Sequence, residues 1–143
     1  MANPGPASTQ TIHPQILGTN QAIRLLAVIN NCPISSTGDV ATFGVLDTTT
    51  YCVQNVAITN ANKDVSGGAL AIWTGPAGTG TEIVTNASLT SNTSGTYVTN
   101  ATVVAGTKTT NLSAQTLYVR VGTAVSGGTV DIYVYGYDFS YFN

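Results

Sequence analysis

The sequence predicts an all-β protein: an antiparallel β-sandwich, jelly-roll-like, of about eight strands, with an extended N-terminal arm. Three observations predict it. Short segments with apolar residues at alternate positions recur along the chain, separated by Gly, Asn, Ser and Thr. Val, Ile, Thr and Tyr dominate those segments, as the pleated surface of a strand favours. No window combines a 3.6-residue apolar stripe with helix caps. The 143 residues fit one domain, and a hydrophobic content of 43% is enough for a core at this size.

Residues 1–18 read as the arm. Pro4, Pro6 and Pro14 favour an extended backbone, and the segment has no periodicity. Such a segment stays ordered only when held. It is expected to dock on a neighbouring subunit in preference to its own body, through Pro4, Pro6, Ile12, His13 and Pro14. Residues 19–143 form the β-sandwich domain. Its strands are expected at about Ala22–Asn31, Val40–Leu46, Tyr51–Thr59, Ala69–Thr74, Glu82–Asn86, Tyr97–Val104, Leu117–Gly122 and Thr129–Phe139. That many short strands in this length point to a sandwich or jelly roll.

The last two strands read as a hairpin about Ser126-Gly127-Gly128. Leu117, Val119, Val121, Val130, Ile132 and Val134 should face the core, with Tyr133, Tyr135 and Tyr137 on the opposite face. Val65-Ser66-Gly67-Gly68 echoes Val125-Ser126-Gly127-Gly128 before a strand in each case. Two hairpins built on one turn solution explain a single repetition, without a solenoid.

Charged residues make up only 7%, against about 25% in ordinary soluble domains. Mixed charge keeps free proteins soluble and apart, so a surface of hydroxyls and amides suits a protein packed into an assembly or displayed outside a cell. The net charge is −2, and Arg24, Lys63, Lys108 and Arg120 are scattered, which builds no basic stripe for nucleic acid. The longest apolar run, near Ala22–Ile29, is interrupted by Arg24 and falls short of a membrane span. No signal-peptide pattern is expected at the N-terminus. Neither nucleic acid nor membrane is an expected partner.

Catalytic patterns are weak. His13, the single histidine, lies on the arm, where a general base would lack a rigid scaffold. The carboxylates Asp39, Asp47, Asp64, Glu82, Asp131 and Asp138 mostly fall at strand ends and turns, where Asp bonds to backbone, although a chance glycosidase-like pairing is compatible with the sequence. Gly75-Pro76-Ala77-Gly78-Thr79-Gly80-Thr81 has phosphate-loop glycines but neither lysine nor following helix, and reads as a loop at one end of the sandwich. Asn60-Ala61-Asn62-Lys63-Asp64 spaces oxygens like a calcium loop, yet Val65 and Ala71 stand where Gly and Glu are required, so it reads as a polar turn. Cys32 and Cys52 make no zinc pattern and are expected as free, buried thiols. Four N-x-S/T triplets, at Asn86, Asn92, Asn100 and Asn111, are accounted for by the abundance of Asn and Thr. No enzyme activity, cofactor or metal is expected.

The crowd of aromatic residues at the C-terminus, Tyr133, Tyr135, Tyr137, Phe139, Tyr141 and Phe142, is the feature with most functional content. Tyr combines an apolar body with a polar tip and is enriched at interfaces. The stripe is open to three readings: a second core face or arm-covered surface, a subunit interface, or a carbohydrate platform.

The proline-bearing arm, the Thr- and Gly-rich short strands, the segment Ala69-Leu70-Ala71-Ile72-Trp73-Thr74-Gly75-Pro76-Ala77-Gly78 and the ending from Leu117 to Tyr137 together resemble small structural proteins of tailed bacteriophages, in particular capsid decoration (cement) proteins. The resemblance implies a non-enzymatic virion structural protein on the capsid exterior. Its partners would be the major capsid protein and further copies of itself, as a trimer. The partner-binding residues would be Pro4, Pro6, Ile12, His13 and Pro14 on the arm and Tyr133, Tyr135, Tyr137, Tyr141 and Phe142 on the aromatic face. The alternative is a carbohydrate- or receptor-binding module of a phage fibre or tail tip, in which rings among Trp73 and the C-terminal tyrosines line a groove.

Overall fold

The structure is a computed structural model and describes residues 23–140. The expected arm, with Pro4, Pro6, Ile12, His13 and Pro14, lies outside the described residues, as do Tyr141 and Phe142. The strands are β1 (Arg24–Pro33), β2 (Gly38–Gly44), β3 (Tyr51–Thr59), β4 (Ala69–Trp73), β5 (Glu82–Ser88), β6 (Thr99–Ala101), β7 (Thr116–Thr123) and β8 (Thr129–Asp138), with short 3₁₀ turns at Pro76–Gly78 and Ala105–Lys108. They form two antiparallel four-stranded sheets, β1-β8-β3-β6 (sheet one) and β2-β7-β4-β5 (sheet two).

The pairings follow one rule. β1 meets β8, β2 meets β7, β3 meets β6 and β4 meets β5, so the chain doubles back between β4 and β5 like one long hairpin. That hairpin is rolled until β8 also meets β3 and β7 meets β4. Isolated bridges join the sheets at both sides: Ala27 to Val45 where β1 passes the end of β2, and Val84 to Val103 beside β5. Edge strands present unpaired backbone to other chains. Here both lateral edges are partly closed, which leaves the two broad faces as the main outer surfaces.

Alternation in the sequence fills the interior. Val53, Val56, Ile58, Val130, Ile132 and Val134 of sheet one meet Phe43, Leu70, Ile72, Val84, Leu117, Val119 and Val121 of sheet two, and all are buried. A register shift between Leu25 and Ala27 lets the consecutive Leu26 and Ala27 both enter the core. Gly136 leaves room for this: a Cβ there would strike the Cys52 carbonyl oxygen and come 2.8 Å from Leu26 Cδ1. Asn92, fully buried, holds the β5–β6 connection by donating to the carbonyls of Ile58 (3.1 Å) and Tyr97 (3.2 Å) and accepting from the Thr99 hydroxyl.

Two expectations need correction. β7 and β8 are not a hairpin within one sheet. The turn after Val125 exists, with Gly128 N–H donating to the Val125 carbonyl at 3.0 Å and Gly127 at φ +69°, but it carries the chain from sheet two to sheet one. The β1–β2 connection crosses alongside it: Val125 N–H donates to Ile34 O (2.8 Å) and Ile34 N–H to Gly128 O (2.9 Å). The echoed turn at Val65–Gly68 likewise links β3 of sheet one to β4 of sheet two. The second correction concerns β6, which spans Thr99–Ala101 and not the longer Tyr97–Val104 segment. Its pairing with β3 ends at Ala101, and Val103 already bridges to Val84 across the corner.

Candidate functional site

Each sheet turns its polar-alternate positions outward, and two surfaces result. On sheet one, Val130, Ile132 and Val134 point inward, so Tyr133, Tyr135 and Tyr137 of the central strand β8 point outward and are half-buried. Their neighbours in register are Val28 and Ala57 beside Tyr133, Leu25 and Asn55 beside Tyr135, and Cys52 beside Tyr137. None of these is charged. The Tyr137 and Phe139 rings stand 6.2 Å apart and tilted by 32°, which extends the aromatic row to the end of the strand. Two further apolar residues of the same sheet's surroundings, Tyr97 and Val98 before β6, are 54% and 47% exposed.

On sheet two the outward face is a groove of about 510 Å³. Ala71 and the bare backbone of Gly122 form its low positions, and Trp73, Glu82, Asn86 and Arg120 contribute its larger side chains. Trp73 registers with Glu82 on one side and with Tyr118 on the other, and Arg120 with Ala71. Arg120 donates to Asp39 at 3.0 Å. The second Asp39 oxygen accepts the Ala77 N–H at 2.6 Å, which straps the 75–81 loop onto β2. The Ala77 N–H does most to hold the Asp39 carboxyl below its usual range; desolvation opposes it, and the hydrogen bond and charge of Arg120 add smaller lowering effects. Gly78, at φ +73°, lies against both Arg120 and the Trp73 ring. The glycine-rich loop thus backs two of the groove's side chains, Arg120 and Trp73.

No protein-family model, curated protein or solved structure gives a significant match to the chain. The geometry therefore carries the functional argument by itself.

Of the residues singled out in the sequence, the structure brings Tyr133, Tyr135 and Tyr137 together on one face. It separates them from Trp73, which lies on the opposite sheet, so the rings do not share a groove. The 60–64 turn uses its polar groups on the chain itself: Asn60 donates to Asp131, Asn62 donates to Gly127 O and accepts from Thr129 N–H, and Asp64 accepts from Ser66 N–H. Asp131 and Asp138 also accept from backbone, at Asn31 and Ser140. Cys32 and Cys52 are free and buried. They register with Val130 and Tyr137 of β8, roughly 20 Å apart along the strand and far beyond disulfide reach. The sequence reading missed Arg120, Glu82, Asn86, Ala71 and Gly122 as a group. Their outward direction follows from alternation with core residues, but their convergence depends on β7, β4 and β5 being neighbours.

Proposed function

We propose that this chain is a non-enzymatic structural protein of a virus particle, which decorates and cements a phage capsid by binding neighbouring capsid subunits. The observation that carries the reading is the aromatic row Tyr133-Tyr135-Tyr137, uncharged on both flanks and placed at the centre of an outer sheet face. A sandwich normally turns polar residues to water on that side. Large Tyr side chains that are already half-buried lose little conformational freedom on docking, and each contributes on the order of 1 kcal/mol when a partner covers the remainder.

Two other features support it. The rolled-hairpin pairing of the strands supports a jelly-roll reading of the sandwich, an arrangement that viral capsid and lectin domains use repeatedly. The bridged sheet edges favour association through faces over edge-to-edge strand addition. In the proposed mechanism the aromatic face binds a sister copy, within a trimer, or the major capsid protein, and the N-terminal arm reaches an adjacent subunit. Two linked contacts raise avidity beyond either alone. A protein that binds only the assembled lattice stabilises it by linkage.

The test is decoration of undecorated shells by the full chain, by Tyr135→Glu, and by a chain lacking residues 1–15. The wild type is expected to bind stoichiometrically with the capsid lattice. Tyr135→Glu should keep its melting transition and lose oligomer formation and shell binding, because it places a charge in the contact. The truncated chain should stay folded and fail to decorate. Shell binding by both variants at the wild-type level would overturn the proposal.

A further inference from the structure

We infer that the groove on the outer face of sheet two is a binding site for a short, neutral oligosaccharide. This is independent of the shell-binding face, which lies on the other sheet.

The floor is built for access. Ala71 and Gly122 put almost no side chain above the sheet, and the Asn86 side chain crosses β4 to contact Gly122. Trp73 rises at one end, half-buried, with Glu82 in register beside it. The result is a shallow trough with an aromatic wall. Its size falls within the ~300–1,000 Å³ of ordinary ligand clefts. Saccharides present one apolar C–H face and a rim of hydroxyls, which suits an aromatic ring flanked by planar polar groups.

The hydrogen-bonding groups are free to serve a ligand. Among the described residues, the Trp73 indole N–H, the Glu82 carboxylate and the Asn86 amide take no hydrogen bond or ion pair. Together they offer donors and acceptors on one face, as vicinal hydroxyls require. Arg120 bonds Asp39 through one terminal nitrogen, and Asp39 and Ala77 hold its guanidinium in place.

Charge selects among ligands. The one cation in the groove is already neutralised by Asp39, and Glu82 adds a negative charge. A phosphate, sulfate or sialic acid would meet Glu82 without an unpaired cation to compensate. A neutral polyol avoids that penalty, and its hydroxyls gain charge-assisted bonds from the same groups.

The chain contains a single tryptophan, so its emission reports this site alone. The experiment titrates the full chain with maltotriose, cellotriose, mannotriose and triacetylchitotriose, and with sialyllactose as the anionic comparison. At least one neutral trisaccharide is expected to give a saturable shift in Trp73 emission below roughly 10 mM, a range ordinary for weak single sites. Sialyllactose should bind at least tenfold more weakly, on the order of the cost of one unpaired charge contact. By calorimetry, Trp73→Ala and Glu82→Ala should each weaken binding by about tenfold or more. No saturable response to any of the four neutral sugars, tighter binding of sialyllactose, or unchanged affinity in both variants would overturn the inference.

Discussion

Val65 packs over Gly128, so closely that a methyl group at residue 128 would lie 3.0 Å from Val65 Cγ1. The contact is reciprocated. A methyl at Gly68 would lie 3.1 Å from Val125 Cγ2. The two Val-Ser-Gly-Gly turns that echo one another in the sequence therefore nest, each valine covering the last glycine of the other. Both turns carry the chain between the sheets, and their mutual packing fixes how the sheets face each other at that end.

Gly128→Ala and Gly68→Ala are each expected to destabilise the fold by about 1–3 kcal/mol, since each methyl enters a filled site. Ile34 Cγ1, at 3.1 Å from a Cβ on Gly128, and Leu89 Cδ1, at 3.4 Å from one on Gly68, narrow both sites further. Urea denaturation measures the cost. Adding Val65→Ala to Gly128→Ala should recover part of the loss, giving a coupling above about 0.5 kcal/mol in a double-mutant cycle. Simple additivity would show that the two residues do not share the site.

A second glycine is under greater constraint. At Gly136 a Cβ would collide with the backbone carbonyl of Cys52, and backbone cannot swing aside as a side-chain tip can. Gly136→Ala should therefore cost about 3 kcal/mol or more, at the upper end of overpacking effects. The expected result is loss of the cooperative thermal transition or a large drop in its midpoint. A variant that melts like the wild type would mean that β3 and β8 separate easily at this point.

The strands were legible in the sequence because burial on one face imposes alternation. Val130, Ile132 and Val134 had to point inward, which put the tyrosines outside. Partner choice was not legible in the same way. The local chemistry of Val125-Ser126-Gly127-Gly128 specifies a turn, but it does not say whether the next strand returns beside β7 or crosses to pair with β1 and β3. That depends on contacts remote in sequence, such as Val125 N–H to Ile34 O. The groove was hidden for the same reason: Trp73, Glu82, Asn86 and Arg120 come from three strands whose order in sheet two only the fold determines.

Arg24 and Asp138 join the start of β1 to the end of β8 by an ion pair at 3.1 Å, with the Asp138 side chain almost wholly buried. Arg24 also donates to Leu46 O at 2.8 Å, and Asp138 accepts from the Thr48 hydroxyl and the Ser140 N–H. Burial pushes the Asp138 carboxyl up, but the bonds from Thr48, Ser140 and Arg24 together outweigh it and hold the group below its ordinary 3.8. A carboxyl depressed in the folded state stabilises the fold fully above its unfolded value and ceases to do so as pH falls through the folded one. Stability should therefore decline below about pH 4 in the wild type. Asp138→Ala should cost about 1–3 kcal/mol at neutral pH, because it removes the buried carboxylate that Arg24, Thr48 and Ser140 share, although Arg24 keeps its bond to Leu46 O and Thr48 its bond to Thr50 O. It should also flatten the acid limb. An acid limb unchanged in the variant would assign that dependence to other carboxylates.

At the opposite end of the pH range two buried groups act together. Burial pushes the Cys32 thiol up to about 11 from 9.0 and the Tyr51 phenol up to about 12 from 10.0. For a group whose folded value is raised, the stabilisation is present below the unfolded value and is lost as pH rises through the folded one. Cys32 therefore weakens the fold between about pH 9 and 11, and Tyr51 between about pH 10 and 12. Tyr51 donates to Ala114 O at 2.6 Å, so Tyr51→Phe should cost about 1 kcal/mol at neutral pH. The same variant should retain more of its stability between pH 10 and 12, having no phenol to ionise. Denaturation midpoints across pH 7–12 test both signs, and parallel alkaline curves for variant and wild type would refute the role given to Tyr51. Iodoacetamide at pH 8 should leave Cys32 unmodified in the folded chain and label it rapidly in urea, since the buried thiol is protonated and covered.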